Sequence, residues 1–440
     1  MAMKVLIATP YFWPRVGGME NYARFLAQGL AEVGCEVVVV CGDRQVRRPT
    51  RDEVDGHAVW RLPVWRVVSN TPVNLAWSRQ LRQIIRAERP DVINAHTPVP
   101  FMVDVVTRAA GSLPVVVTYH AATLFKPGSA IMTALTTGYL VVQRFTLSRA
   151  RFIIAVSPYV RECMSRWQSK TVVVANAVTD VAAAREVAGT GLAFVGNLEP
   201  SHTWKGLDLL LDALAILKRD GLAVGLTVVG DGTDRPRYEQ RAQALDLREQ
   251  VRFVGRLVGS DRDALVRQAA AVVLYPTTAN DAFPTVMLEA WAQGAAVIAA
   301  AMGPLPSLVA DGETGILVEP ANPTALARAL RDGLIDQSRL LALGEAGRQL
   351  VSREYTWPLQ VERTRAVLKA AVDGTPVAPL PRIRDLGSTG LAASASPARS
   401  AGGVSSAGGG VARRVGTSRR RAMVNGSADA RPGRQGQGPG

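Results

Sequence analysis

Histidine and cysteine are scarce in this chain, with four of the first and three of the second among 440 residues. Cys35, Cys41 and Cys163 show no CxxC spacing and have no histidines beside them, which argues against a zinc ribbon and fits a reducing, cytoplasmic setting. His57, His96, His120 and His202 leave little material for a metal centre, so no metal and no other cofactor is expected. Long apolar runs are missing as well. The best candidate, residues 124–147, is interrupted by Lys126, Pro127, Gly128 and Arg144 and is too broken to span a bilayer. It fits a helix packed within its domain, or one that faces lipid or an acceptor. The opening MAMKVLIATPYFWP holds one Lys and a short apolar run closed by Pro10, and reads as a first strand rather than a signal peptide. Acidic residues are outnumbered 37 to 51, for a formal charge of +14. Residues 375–440 contain ten Arg and two Asp and lack aromatics, so most of that surplus sits in a tail that cannot bury enough apolar surface to offset its chain entropy. The expectation for 375–440 is a disordered basic tail, either simply solvated or touching anionic lipid or nucleic acid without specificity; no specific nucleic-acid partner is expected.

What is present is ordinary globular material, 48% hydrophobic and 20% charged, arranged in a strand and helix rhythm. KVLIAT empties into a loop with Gly17 and Gly18, followed by a helix with Tyr22, Phe25, Leu26 and Leu30 inward, then by EVVVV. This is a βαβ start, although GG without GxGxxG is a weak dinucleotide signal. The two glycines either allow close backbone approach to a ligand or only make a turn. PDVINAHTP and PVVVTYHAAT each read as a strand ending near a histidine. His120, directly after VVVTY, falls at a strand's carboxyl end, where doubly wound sheets bind ligands; a lone histidine there also fits a structural role. FIIAVSPYV and TVVVANAV complete the first half. The second half restarts at GLAFVGN and continues through a helix with Leu207, Leu210, Leu211, Leu214 and Leu217 on one side, then LTVV and VRFVG.

The segment 281–294, DAFPTVMLEAWAQG, lies between two apolar strand-like runs and carries two carboxylates eight residues apart. Pro284 suits a first helical position. The N–H groups of Thr285, Val286 and Met287 would then point, with the positive helix end, towards an anion. Acceptor-only carboxylates on either side of a phosphate site suit a nucleotide-sugar, whose phosphates lie between hydroxyl-rich rings. A loop Asp followed by a surface Glu gives the same spacing.

DAFPTVMLEAWAQGAAVIAA resembles the EX7E segment of the retaining GT-B glycosyltransferases of family 4, with Asp281 in place of the first Glu and Glu289 matching the second. The resemblance covers roughly residues 3–372. It implies an α/β fold of two Rossmann-like doubly wound parallel-sheet domains facing a central cleft. The expected boundaries are 1–180 for an acceptor-side domain, 190–352 for a nucleotide-sugar domain, and 353–374 for a helix crossing back to the first. By the same resemblance Asp281 contacts the donor sugar and Glu289 the ribose. His120, in TYHAAT, approaches the sugar beside the anomeric carbon, and His96 lies on the acceptor side. The Gly17 and Gly18 loop faces donor phosphate and acceptor, and Lys205, at a helix entrance, meets the diphosphate. Phe283, Pro284, Thr285 and Val286 complete the donor side. Asn197 stands where the family has an Arg, with His202 the nearest candidate to compensate.

The implied activity is a metal-independent, retaining transfer of a hexose (mannose, glucose or N-acetylhexosamine) from a UDP- or GDP-linked donor to a hydroxyl of a glycan or lipid-linked acceptor. A nucleotide-sugar epimerase or phosphorylase on this fold, or a noncatalytic binder with a degenerate site, remains the alternative. The DxD inside SDRD is better used by capping the next helix through Ser260 or Asp261 than by a metal. In residues 75–89 the apolar side is Leu75, Trp77, Leu81, Ile84 and Ile85, while Arg79, Arg82, Arg86 and Arg89 form a stripe. That stripe is either an ordinary solvated face or a seat for anionic lipid headgroups, placing the protein at the inner face of the cell membrane.

Overall fold

Continuous apolar strands separated by amphipathic helices give two mainly parallel sheets in the computed structural model. It describes residues 2–15, 17–68, 70–122, 130–378 and 380, with residues 130–135 as backbone only. Beyond residues 375–378 and 380, the expected tail lies outside the described residues, as do residues 124–129 of the broken apolar segment. All the described residues belong to one compact unit, Met1–Leu391.

The first sheet has eight strands in the spatial order Thr171–Val173, Phe152–Ala155, Val115–Tyr119, Val92–Thr97, Lys4–Thr9, Glu36–Asp43, His57–Pro63 and Thr50–Val54. All pair in parallel except the last two, which form an antiparallel edge. The second sheet runs Val251–Gly255, Leu226–Val229, Leu192–Val195, Ala271–Leu274, Ala296–Ala300 and Ile316–Val318, parallel throughout. In each sheet the chain winds outwards one way and then the other. The direction reverses between Lys4–Thr9 and Val92–Thr97 in the first sheet and between Leu192–Val195 and Ala271–Leu274 in the second. Crevices open at such reversals, beyond the carboxyl ends of the strands.

The two halves share one hydrophobic core. Val117, Ala155 and Val156 of the first belong to the same buried cluster as Phe283, Met287 and Leu288 of the second. Ser157 stitches them with polar bonds: its Oγ caps the Pro158–Cys163 helix by accepting from Val160 N (3.1 Å) and donates to the Ala282 carbonyl (2.7 Å). The Trp357–Asp373 helix returns to the first sheet, burying Val361, Val367 and Leu368 with Leu26 and Leu30 of the Gly18–Glu32 helix. Gly29 permits that approach, since a Cβ there would overlap the Val361 side chain. Tyr22, Leu26 and Leu30 are buried as the periodicity requires, while Phe25 is half-buried against Trp357, ring centroids 5.4 Å apart.

Three local expectations need correction. The Thr285–Ala292 helix begins one residue later than Pro284, which is its N-cap in extended backbone (φ −74°, ψ 97°). The Met287 N–H is taken by the Pro284 carbonyl at 3.0 Å, which leaves the Thr285 and Val286 N–H groups without a partner among the described residues. The Gly259–Gln268 helix starts after Val258 with no side-chain cap, so neither Ser260 nor Asp261 caps it. Leu75 lies outside the Trp77–Glu88 helix and is 72% exposed, whereas Trp77, Leu81, Ile84 and Ile85 are buried.

Candidate active site

A cavity of about 440 Å³ opens where the carboxyl ends of both sheets meet, within the roughly 300–1,000 Å³ typical of small-molecule sites. The first half contributes Gly18, Pro98, His120 and Asn176. The second contributes Lys205, Thr278, Asp281 and the run from Phe283 through Val286. Nine of the residues singled out from the sequence therefore share one space: Gly18, His120, His202, Lys205, Asp281, Phe283, Pro284, Thr285 and Val286.

Each is placed by a local cause. Lys205 ends a short 3-10 turn, Pro200–Lys205, closed by Gly206 at φ 80°, where a Cβ would run into the Tyr275 carbonyl. Only glycine fits this left-handed, crowded position. Thr277 N donates to the Trp204 carbonyl at 2.7 Å and fixes the turn against the loop after Ala271–Leu274. Lys205 makes no ion pair within 4 Å among the described residues, so its ammonium is available to an anion. Asp281 accepts from Phe283 N at 3.2 Å. Burial raises its carboxyl above the ordinary value, and Lys205 and the backbone N–H groups oppose that rise. The Thr285 and Val286 N–H groups have no hydrogen-bond partner among the described residues. Together with Lys205 they form a positively polarised corner suited to a phosphate.

Glu289 sits a turn further along, outside the cavity lining but with its side chain 22% exposed. Its Oε1 lies 3.0 Å from Arg262 Nη1, and the same guanidinium holds Asp263 at 2.8 Å. Burial pushes the Glu289 carboxyl up; Arg262, then Lys205, pull it down, while Asp263 opposes them. Arg262 was not singled out from the sequence, where SDRD reads by local rules as a helix start. Its partner is 27 residues away along the chain, and no short-range signal marks it.

His96, expected on the acceptor side, is fully buried and does not line the cavity. Its Nδ1 lies 3.0 Å from His120 Nε2, beneath the histidine that does reach the cavity. Tyr22 packs against both rings, centroids 5.6 and 4.7 Å away, and Trp357 of the crossing helix packs against Tyr22 at 5.2 Å. Gly17 and Asn197 also lie off the cavity lining. Gly17 has extended backbone (φ −171°), and the direction its Cβ would take is filled by the Glu20 carboxylate. The Asn197 side-chain oxygen is buried without a partner among the described residues, as are Oδ1 of Asn176 and Oγ1 of Thr278 on the lining. His202 lines the cavity, its Nδ1 3.0 Å from Ser201 Oγ. Arg79, Arg82 and Arg86 are exposed on the Trp77–Glu88 helix and do not line this cavity, and Arg89 is the helix's left-handed C-cap at φ 49°. Among the described residues no group of three or more His, Cys, Asp or Glu is placed to hold a metal ion.

Two family models divide the chain between them: Glycosyltransferase Family 4 matches residues 16–180, and Glycosyl transferases group 1 matches residues 189–350, which contain Lys205, Asp281 and Glu289. The chain belongs to the group 1 glycosyltransferases. It is 26% identical over 405 residues to a glycogen synthase of Mycobacterium tuberculosis (strain CDC 1551 / Oshkosh), covering 84% of this chain and 96% of that protein. It is 27% identical over 369 residues to a phosphatidyl-myo-inositol mannosyltransferase of Mycolicibacterium smegmatis, covering 81% and 90%. The architecture matches that of sucrose-phosphate synthase from Thermosynechococcus elongatus, with TM-score 0.66 and 22% identity over 85% of this chain and all of the other. Anabaena HepE, solved with UDP and glucose, matches with TM-score 0.66 and 20% identity over 84% and 100%. The fold of this group 1 glycosyltransferase is GT-B, two Rossmann-like α/β halves facing a cleft.

Proposed function

We propose that the protein transfers a hexose from a UDP- or GDP-linked donor to a hydroxyl of a glycan or lipid-linked acceptor, with retention at the anomeric carbon and without a metal ion. The observation that carries this reading is the cavity that joins both sheet reversals. In it a free ammonium (Lys205) and two free helix-end N–H groups (Thr285 and Val286) share a space with His120 and Asp281. Relatives bearing the names glycogen synthase and mannosyltransferase support a hexose as the transferred group.

In this reading the donor diphosphate rests on Lys205 and the Thr285–Ala292 helix end, the sugar lies between His120 and Asp281, and the ribose hydroxyls bond to Glu289. The bond from the anomeric carbon to the diphosphate oxygen breaks. The acceptor oxygen bonds the same face of that carbon, and the acceptor's proton passes to the departing diphosphate. Charge building on that leaving group meets the ammonium and helix dipole already aimed at it, which is where a fixed electrostatic site lowers a barrier most. The role given elsewhere to a metal is carried here by Lys205 and the helix end. Asn197 brings no charge to this corner, so Lys205 has no second side-chain cation of that origin.

A membrane-facing acceptor is part of the proposal. Arg79, Arg82 and Arg86 are exposed on the Trp77–Glu88 helix, which packs on the Met102–Ala109 helix, and that helix packs on Ala130–Arg149; Arg108, Arg144, Val141, Val142 and Phe145 of these neighbours are exposed too. Basic and apolar side chains on one surface suit an anionic bilayer. Among the described residues no helix is long and apolar enough to cross a membrane. The test is product analysis with UDP- and GDP-hexoses and simple acceptors in excess EDTA. A glycoside of the donor's own anomeric configuration supports the reading, and an inverted product or an absolute need for added metal overturns it.

A further inference from the structure

The geometry points to His96 as a positioning residue that holds the His120 ring by an Nδ1–H donated to His120 Nε2, so that His120 presents its own Nδ1–H to the cavity as a hydrogen-bond donor.

The two imidazole nitrogens are 3.0 Å apart. The ring centroids are 5.3 Å apart, longer than the N···N distance by about a ring radius on each side, and the planes differ by 14°. The rings therefore meet edge to edge and nearly coplanar, as a hydrogen bond directed along a ring lone pair requires. One nitrogen donates and the other accepts. His120 Nε2 is consumed by this contact, and no partner for His120 Nδ1 exists among the described residues. Nor is that atom among the sealed polar atoms, and His120 lines the cavity, so Nδ1 is the edge open to a ligand.

The direction of the bond follows from the far side of His96. Its Nε2 is sealed from solvent with no hydrogen-bond partner among the described residues. If His120 were the donor, His96 would carry its proton on Nε2, and an N–H group would be buried with nothing to receive it. If His96 donates, the sealed atom is a bare lone pair. Buried orphan N–H groups are the rarer of the two in native proteins. With His96 Nδ1 protonated, the proton of neutral His120 must be on Nδ1. Burial lowers His120 to about 3 and takes His96 well below its ordinary value, so neither ring gains a second proton near neutrality. The pair is held by the Tyr22 ring across both histidines and by Trp357 behind Tyr22, which links the ring's orientation to the helix that joins the two halves.

A fixed donor facing the cavity suits a hydroxyl or ring oxygen of a bound sugar and is useless for deprotonating an acceptor. This consequence rests on the glycosyl-transfer reading; the bond and tautomer do not. The chain has four histidines, so ring nitrogen spectra of 15N-histidine-labelled protein can be assigned by single substitution. The expected result is a protonated Nδ1 and bare Nε2 on His120, and a protonated Nδ1 on His96. A protonated Nε2 on His120 overturns the proposal, whatever the activity assays give.

In His96→Asn the side-chain amide can place an N–H where Nδ1 was, and in His96→Leu it cannot. With the donor that supports turnover, Leu should lower kcat about tenfold to a hundredfold with little change in donor KM. Asn should recover to within about threefold of the parent, and the His120 spectrum should follow the same order. Equal losses in folded Asn and Leu variants, with an unchanged His120 spectrum in both, overturn the positioning role.

Discussion

Arg262 Nη1 lies 3.0 Å from Glu289 Oε1, and that contact opposes the effect of burial on the carboxylate assigned to the donor ribose. Glu289 is otherwise desolvated, which raises its pKa above the ordinary value, and Arg262 is the largest influence opposing the rise. An ionised Glu289 accepts two ribose hydroxyls; a protonated one does not. Donor KM should therefore rise as pH falls, starting above the usual carboxylate range. In Arg262→Gln the opposing charge is gone, the Glu289 pKa climbs further, and the acid limb of the KM profile should move to higher pH by on the order of one unit. Steady-state kinetics across pH checks this, and an unmoved limb contradicts the assignment.

Lys205→Met keeps the length of the side chain and removes its charge. With no other ammonium on the cavity lining among the described residues, kcat/KM should fall by about a hundredfold or more, mostly in kcat, because charge on the leaving diphosphate peaks in the transition state. A loss confined to KM would mean that Lys205 binds the ground state alone.

Ser157→Ala removes a helix cap and leaves the Ala282 carbonyl unpaired in a buried seam between the halves. The expected cost is about 1–3 kcal/mol in denaturant unfolding. Donor affinity should weaken with it, because Ala282 directly follows Asp281. A neutral Ser157→Ala would show that the seam is held by packing alone.

Replacing Arg79, Arg82 and Arg86 together with Gln should abolish co-flotation with vesicles rich in anionic lipid while leaving turnover of a water-soluble acceptor intact. Each basic residue near such a surface contributes roughly 1 kcal/mol, so the triple variant should lose about two orders of magnitude in partitioning. Parent protein that fails to float contradicts the membrane part of the proposal.

The parallel core could be read from the sequence because its strands are buried on both faces and so appear as unbroken runs such as VLIAT, VVVV and AVIAA. The antiparallel edge could not. Thr50–Val54 is TRDEV, half-exposed to exposed, with a polar pattern that resembles a loop. The Arg66–Val68 and Thr71–Val73 hairpin is too short to stand out. At the site, Lys205, Asp281 and the residues after Phe283 fall at element ends, where sequence rules are strongest. His96 was placed at its strand end but not at its depth, because pairing across Val92–Thr97 and Val115–Tyr119 decides which face it joins. Arg262 is the same case in reverse: its local setting suggests a helix start, and its partner comes from another helix.

The most direct test of the central claim is a thermal-shift titration of the parent and Glu289→Ala with UDP-, GDP- and ADP-sugars, since a ligand that binds only the folded chain raises its apparent stability. The account predicts a concentration-dependent rise with one nucleotide class, and a shift for Glu289→Ala that needs at least tenfold more ligand. No shift with any donor, or an equal shift in both proteins, would contradict the claim that this cavity and Glu289 bind a nucleotide-sugar.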